Sequence, residues 1–200
     1  MSMSEQALLT LVTFMKSRDR NVLTDIITKI NQQPTLTTKC IIARSELSPQ
    51  SNTIETICKK DLYIGNPVNE TSGDGCKNGI NYEIKASLHA KKSKFNFVQI
   101  RPDHNIHYYI LISYDMFKDD NLGKAYIFKV PSEDMYKLVV KYGGYAHGTI
   151  KELGNITVEN MKGRGCEYSL RGIPNAKKGK QLELWTELLK YEVSYDAENF

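Results

Sequence analysis

The sequence predicts an α+β or α/β chain whose helices come first and whose middle forms a mostly antiparallel β-sheet. Three observations predict this class. Apolar residues recur at helical spacing before residue 60, short segments between residues 81 and 130 are rich in β-branched and aromatic residues, and another amphipathic stretch follows Pro131. Helices, then consecutive strands, then a further helix are typical of such a domain.

The N-terminal part, residues 1–60, is predicted to be helical. Two apolar sets at helical spacing predict two amphipathic helices, the second of which ends before Pro34: Leu8, Leu11, Val12 and Met15, then Leu23, Ile26, Ile27 and Ile30. A third, short helix is predicted from Asn52 to Lys60, with Asn52 as its N-cap residue and Glu55 on its surface.

The middle of the chain is predicted to form consecutive strands of one sheet, at residues 81–88, 95–101, 107–114 and 125–130. Pro131 and Ser132 open a predicted helix that runs through Lys141. A glycine loop, YGGYAHGT, follows at residues 142–149. The remainder, up to QLELWTELLKYEV, fits a helix or a strand equally well.

Composition is that of one soluble globular domain. The chain has 200 residues, of which 40% are hydrophobic and 25% charged. No apolar run approaches the stretch of about 20 residues needed to span a bilayer, and Glu5 within a start that lacks a basic stretch argues against a signal peptide. We therefore expect a cytoplasmic protein with no membrane partner. The four cysteines lack the spacing of a zinc site and are expected to be reduced packing residues.

Positive charge is concentrated between residues 162 and 180. This segment holds six basic residues and one acid, Glu167, in a chain whose net charge is +4, so the rest of the chain is slightly negative. A solvated surface loop would explain the segment, but the concentration of charge favours contact with a polyanion. The basic residues are Lys162, Arg164, Arg171, Lys177, Lys178 and Lys180.

The stretch SGDGCKNGINYEIKAS, residues 72–87, contains the candidate site. Asn78-Gly79 predicts a β-hairpin, because a type I′ turn needs positive φ at both central residues. If these two residues form the loop, antiparallel pairing places Asp74 directly opposite Glu83. Two opposed carboxylates repel each other unless a cation lies between them.

The second strand of this hairpin alternates in character. Its apolar residues would face a core, and Glu83 and Lys85 would share the opposite face with Asp74. Two carboxylates and an ammonium suit Mg²⁺, which prefers carboxylates, waters and phosphate oxygens. An acid-x-Lys tripeptide alone is better explained as an exposed, salt-bridged strand face. The opposed aspartate, the alternation and the basic segment together favour a metal-dependent site on a phosphodiester.

Asp74 followed by Glu83-Ile84-Lys85 resembles the motif of the PD-(D/E)xK nucleases, and the length and layout of the chain resemble a type II restriction endonuclease. The segments FNFVQIRPDHNIHYYILISYD, GGYAHGT and SLRG are also similar to sequences of uncharacterised members of that group. The resemblance covers residues 50–175. One departure is that Gly73 precedes Asp74, where the family motif has proline.

The resemblance implies a fold and an activity. The expected fold is a restriction-endonuclease-like core, a mixed central β-sheet of four to five strands flanked by helices, in a single domain over residues 1–200. Its helical part would be residues 1–60, and a basic DNA-contacting segment would cover residues 142–180. The implied assembly is a homodimer that cuts double-stranded DNA with Mg²⁺ and needs no organic cofactor.

The resemblance also implies roles for the site residues. Asp74 and Glu83 would be metal ligands, and Lys85 the catalytic lysine. Glu55 matches the place where some members supply an extra acidic ligand, and a solvated helix glutamate is the alternative.

Two candidate phosphate contacts follow the site. Gln99 and Arg101 are predicted on one strand face with Phe95 and Phe97, where they could touch the scissile phosphate. Alternatively, Arg101 pairs with a carboxylate of the sheet. His104, three residues before His107, lacks the spacing of a helical metal motif, so a structural or phosphate-contacting role is expected. A one-metal nuclease that uses His104 as a base is a further alternative.

The remaining candidates would contact DNA. His147 and Thr149, in the glycine loop, offer hydrogen bonds to phosphates or base edges, although a surface turn would also explain the loop. Arg164 and Arg171 are the candidates for base reading, because Arg binds guanine bidentately. Phosphate contacts are expected from Lys177, Lys178 and Lys180.

The sequence therefore predicts a Mg²⁺-dependent type II restriction endonuclease acting as a dimer. A structure-selective repair or recombination nuclease would use the same three catalytic residues. A DNA-binding module without catalysis would bind DNA with steep salt dependence and leave it intact. A protein-interaction domain whose basic segment is incidental would show no salt-dependent DNA binding.

Overall fold

The computed structural model of the chain describes residues 35–45, 50–88, 94–116, 123–146 and 154–200, together with Leu9. Within these residues lie four α-helices, α1 (Leu36–Ser45), α2 (Gln50–Asp61), α3 (Ser132–Tyr142) and α4 (Lys180–Leu188), and two short 3-10 helices at Leu189–Tyr191 and Ala197–Asn199. The strands are β1 (Gly75–Lys77), β2 (Ile80–Ser87), β3 (Phe95–Ile100), β4 (Tyr108–Asp115), β5 (Lys124–Pro131), β6 (Gly144–Tyr145) and β7 (Tyr168–Gly172). Apart from Leu9, which is helical, the two helices predicted before Pro34 lie outside the described residues.

A mixed main sheet positions the candidate site. Its strand order is β1-β2-β4-β5. β1 and β2 form an antiparallel hairpin, β2 and β4 run parallel, and β4 and β5 are antiparallel. In the parallel pair, Glu83 lies beside Tyr109 and Lys85 lies beside Leu111. With helices packed against it, this four-stranded mixed sheet confirms the predicted fold class.

The four predicted strands form within one residue of their expected ends, but their assignment to one sheet is wrong. The strand predicted at residues 95–101 is β3, which pairs with β7 in a second sheet of order β3-β7-β6. The physical reason is the parallel pairing of β2 with β4. Parallel neighbours need a crossover connection, and β3 lies on that connection.

Both faces of the main sheet are covered by apolar cores. The first core lies between this sheet and helices α1 and α2, and it includes Ile41, Ile54, Ile84 and Ile110. The second core joins the main sheet to the second sheet, α3 and α4, and it includes Phe95, Tyr109, Leu111, Met135 and Leu184. Residues that lie side by side on two neighbouring strands project to the same side of a sheet. Glu83 and Lys85 therefore face the second core, together with Tyr109 and Leu111.

Of the described helices, α2 and α3 were predicted individually, whereas α1 was not. α2 begins at Gln50, so Asn52 lies inside the helix and its assignment as the N-cap residue is wrong, because a cap must precede the first helical residue. α3 begins at Ser132 directly after Pro131, as predicted. The ambiguous C-terminal stretch begins with α4. Among the described residues, no helix has the length and apolar character needed to cross a membrane.

Candidate active site

The hairpin that carries the candidate carboxylates forms as predicted. Asn78 and Gly79 have φ values of 52° and 78°, and a type I′ turn requires positive φ at both positions. Lys77 pairs with Ile80 at the start of the ladder, so the predicted register is confirmed.

Asp74 lies one residue beyond the hairpin ladder, beside the strand of Glu83. Its backbone N–H donates a hydrogen bond to the carbonyl oxygen of Tyr82 over 2.8 Å. Its Oδ2 accepts a hydrogen bond from the backbone N–H of Ile84 over 2.7 Å. Because these two contacts lie on either side of Glu83 along β2, they hold the Asp74 carboxylate next to the candidate glutamate.

Gly73, where the resembled family has proline, adopts a backbone conformation that proline cannot reach. Its φ is +74°, whereas the proline ring holds φ near −65°. A Cβ atom at this position would lie 2.5 Å from the carbonyl oxygen of Tyr82 and 2.6 Å from Cδ1 of Ile106. The close approach of the two chains ahead of Asp74 therefore requires glycine.

Gly73→Ala is expected to lower the free energy of unfolding by about 3 kcal/mol, because it adds a steric clash to the cost of positive φ. Gly79→Ala is the matched control. Its φ is +78°, but nothing lies within 4 Å of the added Cβ, so we expect a loss of only about 1 kcal/mol. Urea unfolding of both variants measures the difference. Equal losses would contradict the close approach at Gly73.

Glu83 and Lys85 form an ion pair that is largely removed from solvent. Nζ of Lys85 contacts Oε1 of Glu83. The Lys85 side chain is 15% exposed and the Glu83 side chain is 5% exposed. Burial raises the pKa of Glu83; the Lys85 charge acts in the opposite direction and the Asp74 charge raises it further. The alternative of an exposed, salt-bridged strand face is therefore excluded.

Glu55 belongs to the same electrostatic cluster. Its pKa is raised, first by burial and then by the charge of Asp74, while Lys59 and Lys85 act to lower it. Lys59 is a site residue that the sequence reasoning missed: its Nζ donates a hydrogen bond of 2.5 Å to the carbonyl oxygen of Asp74. The available signal was its position four residues after Glu55, on the same face of α2.

The donor set fits a hard divalent cation. Among the described residues, no three His, Cys, Asp or Glu side chains converge as a ready ligand set. Asp74 and Glu83 nevertheless supply two carboxylates held side by side, and Mg²⁺ is commonly bound by one or two carboxylates plus waters and phosphate oxygens. Burial is the first cause of the raised pKa values of Glu55 and Glu83, and the charge of Asp74 raises both further. A bound Mg²⁺ would favour the charged form of these carboxylates.

The two histidines that follow β3 differ in their surroundings. Nδ1 of His107 accepts a hydrogen bond of 3.0 Å from the backbone N–H of Asn81, so this residue supports the hairpin strand. The charge of His104 lowers the pKa of Glu83, which places its imidazole near the candidate site. Within the described residues, the buried Nδ1 of His104 has no hydrogen-bond partner.

The predicted shared face of Gln99 and Phe97 is wrong. The pairing of β3 with β7 shifts between Phe97 and Ile100, and Gln99 has a φ of +58°. Such a bulge inserts an extra residue and reverses the alternation that follows it. Ile100 therefore joins Phe97 in the second core, and Gln99 is exposed.

Arg101 pairs with a carboxylate, but not with one of the sheet as the alternative predicted. Its Nε and Nη2 lie 2.8 and 2.6 Å from Oε1 of Glu167. That carboxylate comes from the basic segment rather than from a neighbour of Glu83. Contact of Gln99 or Arg101 with DNA stays a prediction.

The candidate DNA contacts of the basic segment lie at the surface. Nη1 of Arg164 is 3.4 Å from the hydroxyl of Tyr145, and Nε of Arg171, on β7, donates to Oδ1 of Asn96 over 3.3 Å. Three lysines are exposed before and at the start of α4: Lys177, Lys178 and Lys180. His147 and Thr149 lie outside the described residues.

The structure thus brings together the three side chains that the sequence placed at the centre of the site: Asp74, Glu83 and Lys85. Glu55, predicted either as a further ligand or as a solvated helix residue, lies within reach of their charges. Comparison of the chain with protein-family models, with curated proteins and with solved structures gives no match.

Proposed function

We propose that the protein is a Mg²⁺-dependent type II restriction endonuclease, which hydrolyses phosphodiester bonds of double-stranded DNA at a specific short sequence. The observation that carries this proposal is the Asp74 carboxylate held beside Glu83, with Lys85 paired to Glu83. Burying an ion pair rarely adds net stability, and a second carboxylate beside it adds repulsion. A purely structural role does not account for such a cluster.

Each residue of the cluster has a role in this hydrolysis. Asp74 and Glu83 would hold the Mg²⁺, with Glu55 as a further acidic neighbour. When bound there, the ion supplies a more acidic water and neutralises charge on the phosphodiester. The Lys85 ammonium, held in place by Glu83, donates hydrogen bonds to the attacking oxygen or to phosphate oxygens as charge develops. Its low exposure strengthens this interaction, because less water screens the charge.

The basic segment supports DNA as the substrate. Arg164 and Arg171 are the proposed base-reading residues, and the proposed phosphate contacts are Lys177, Lys178 and Lys180. A homodimer is proposed because two-fold protein symmetry matches the two half-sites of a palindromic sequence. A cytoplasmic location follows from this proposal, since the enzyme must reach DNA, and neither an organic cofactor nor a membrane is required.

Incubation of the purified chain with plasmid DNA tests the proposal, with Mg²⁺ in one set and EDTA in the other. We expect discrete fragments with Mg²⁺ and intact plasmid with EDTA, and sequencing of the fragment ends would give the site. Intact plasmid in both sets, across plasmids of varied sequence, would contradict the restriction activity.

Two further measurements separate the alternative functions. Cleavage confined to branched or flapped oligonucleotides would indicate a structure-selective repair or recombination nuclease. Binding that weakens steeply with salt, without cleavage of any substrate, would indicate a DNA-binding protein without catalysis.

A further inference from the structure

A carboxylate from one loop is bound by two backbone N–H groups of another. Oδ1 of Asp103 accepts a hydrogen bond from the N–H of Gly163, and its Oδ2 accepts one of 2.9 Å from the N–H of Gly165. Asp103 belongs to the loop between β3 and β4, and both glycines belong to the basic segment. The contact therefore links the loop of His104 to the proposed DNA-contacting segment.

The glycine turn has the backbone form of an anion-binding nest. Gly163 and Gly165 have φ values of +74° and +60°, and Arg164 between them is not among the residues with positive φ. Alternation of this kind turns nearby N–H groups toward a common point, where an anion is bound. Nothing lies within 4 Å of a Cβ built on either glycine. The turn is thus open to solvent, and the bound anion is the side chain of Asp103.

The surroundings of the turn favour a larger, more highly charged anion. Lys162 and Arg164 come from the turn itself, and Nζ of Lys162 lies 5.1 Å from the ring centre of Tyr136. A cavity of about 470 Å³ is lined on one side by the acidic Glu133 and Asp134 and also by Lys162 and His104. Lys162 directly precedes Gly163 in the chain, and His104 directly follows Asp103. A phosphate group could therefore approach the N–H groups from this cavity.

We propose that the Gly163–Gly165 turn is a phosphate-binding site that Asp103 occupies in the free protein. Asp103 then acts as an internal competitor, because its single charge holds the N–H groups until a phosphate displaces it. The inference rests on the proposed function only for the source of the phosphate, a DNA backbone; the binding itself does not depend on cleavage.

Displacement of Asp103 would be transmitted toward the candidate active site. Asp103 is followed directly by His104, whose backbone N–H donates to the carbonyl oxygen of Arg101 over 3.1 Å. Asn105 is fixed by its N–H to the carbonyl oxygen of Thr71 over 2.8 Å. Asp103 and Arg101 both tie this loop to the basic segment, so release of Asp103 removes one of these links.

Titration with inorganic phosphate tests the proposal by NMR, in EDTA so that no DNA chemistry can occur. In the wild-type protein, phosphate should shift the amide signals of Gly163 and Gly165 together with the carboxyl carbon of Asp103. Asp103→Asn keeps the shape but removes the charge, and it should bind phosphate about fivefold to tenfold more tightly, since charged acceptors form the stronger hydrogen bonds. Glu133→Gln, which removes a charge from the same cavity wall, should change the affinity by less than about twofold.

The outcomes distinguish two roles of Asp103: competition with phosphate for the N–H groups, and a purely structural link between the two loops. Shifts at other residues in the wild-type protein, or unchanged or weaker binding by Asp103→Asn, would overturn the proposal. The same titrations with a short DNA duplex identify the source of the phosphate. If Asp103→Asn also binds the duplex more tightly, the site belongs to the DNA backbone. If its affinity rises for inorganic phosphate alone, the site belongs to free phosphate. A chain that binds phosphate in this way yet cuts no plasmid would disprove only the nuclease.

Discussion

Lys85→Met is expected to lower the rate of Mg²⁺-dependent DNA cleavage at least about 100-fold, the usual cost of removing one group that stabilises the transition state. It should also lower the free energy of unfolding by about 3 kcal/mol at pH 8, because it leaves a nearly buried Glu83 beside Asp74 without its paired ammonium. Cleavage rates and urea unfolding, followed by circular dichroism, measure the two effects.

A double variant separates catalysis from folding. Glu83→Gln combined with Lys85→Met replaces the ion pair by neutral side chains of similar size, and such replacements of buried pairs are often neutral or stabilising. We expect the double variant to recover most of the stability that Lys85→Met loses, while cleavage stays absent. Recovery of cleavage together with stability would contradict a catalytic role for Lys85.

Lys39→Met is the matched control for a lysine in an ion pair outside the site. Lys39 contacts Asp61, and the two side chains are 18% and 27% exposed. Such partly exposed pairs contribute about 1 kcal/mol or less, so this variant should remain folded and cut DNA at the wild-type rate. Loss of cleavage in both lysine variants would point to general destabilisation instead.

The acidic pair could be predicted from sequence because its signals are local. Asn78-Gly79 admits positive φ at two successive positions, which selects a two-residue loop. A two-residue loop sets the register, and the register brings Asp74 to Glu83. The alternation of apolar and polar residues then assigns Glu83 and Lys85 to one face.

The burial of that face could not be predicted, because the residues that cover it come from distant parts of the chain. Phe95 of β3 stacks on Trp185 of α4 with ring centres 4.9 Å apart, and both belong to the second core. Period-two alternation distinguishes two faces of a strand but does not say what packs on each. The bulge at Gln99 was equally hidden, since neither glycine nor asparagine marks it in the sequence.

Glu83→Gln is expected to change how stability depends on pH. Burial and the Asp74 charge, opposed in part by Lys85, raise the pKa of Glu83 above its ordinary value of 4.5 in the folded protein. The unfolded chain therefore loses this proton at a lower pH than the folded chain does. The stability that Glu83 contributes is complete below pH 4.5 and is lost as the pH rises through the raised pKa.

The free energy of unfolding of Glu83→Gln, minus that of the wild-type protein, should accordingly rise with pH from about 4.5 upward. Urea unfolding of both proteins at intervals from pH 4 to pH 8, in EDTA, measures this difference. A difference that is flat or falls over this range would show that Glu83 ionises without cost in the fold. The raised pKa of Glu55 affects both proteins and largely cancels in the comparison.

Mg²⁺ should restore the stability that the wild-type protein loses as Glu83 ionises. A cation that binds only the folded state stabilises it by about 2.7 kcal/mol at one hundred times its dissociation constant. The gain should grow as the pH rises, since a protonated Glu83 is a poor ligand. Glu83→Gln should gain little at any pH, in buffers matched for ionic strength with NaCl. An equal gain in both proteins would place the cation elsewhere on the chain and would remove the reason for keeping two carboxylates side by side.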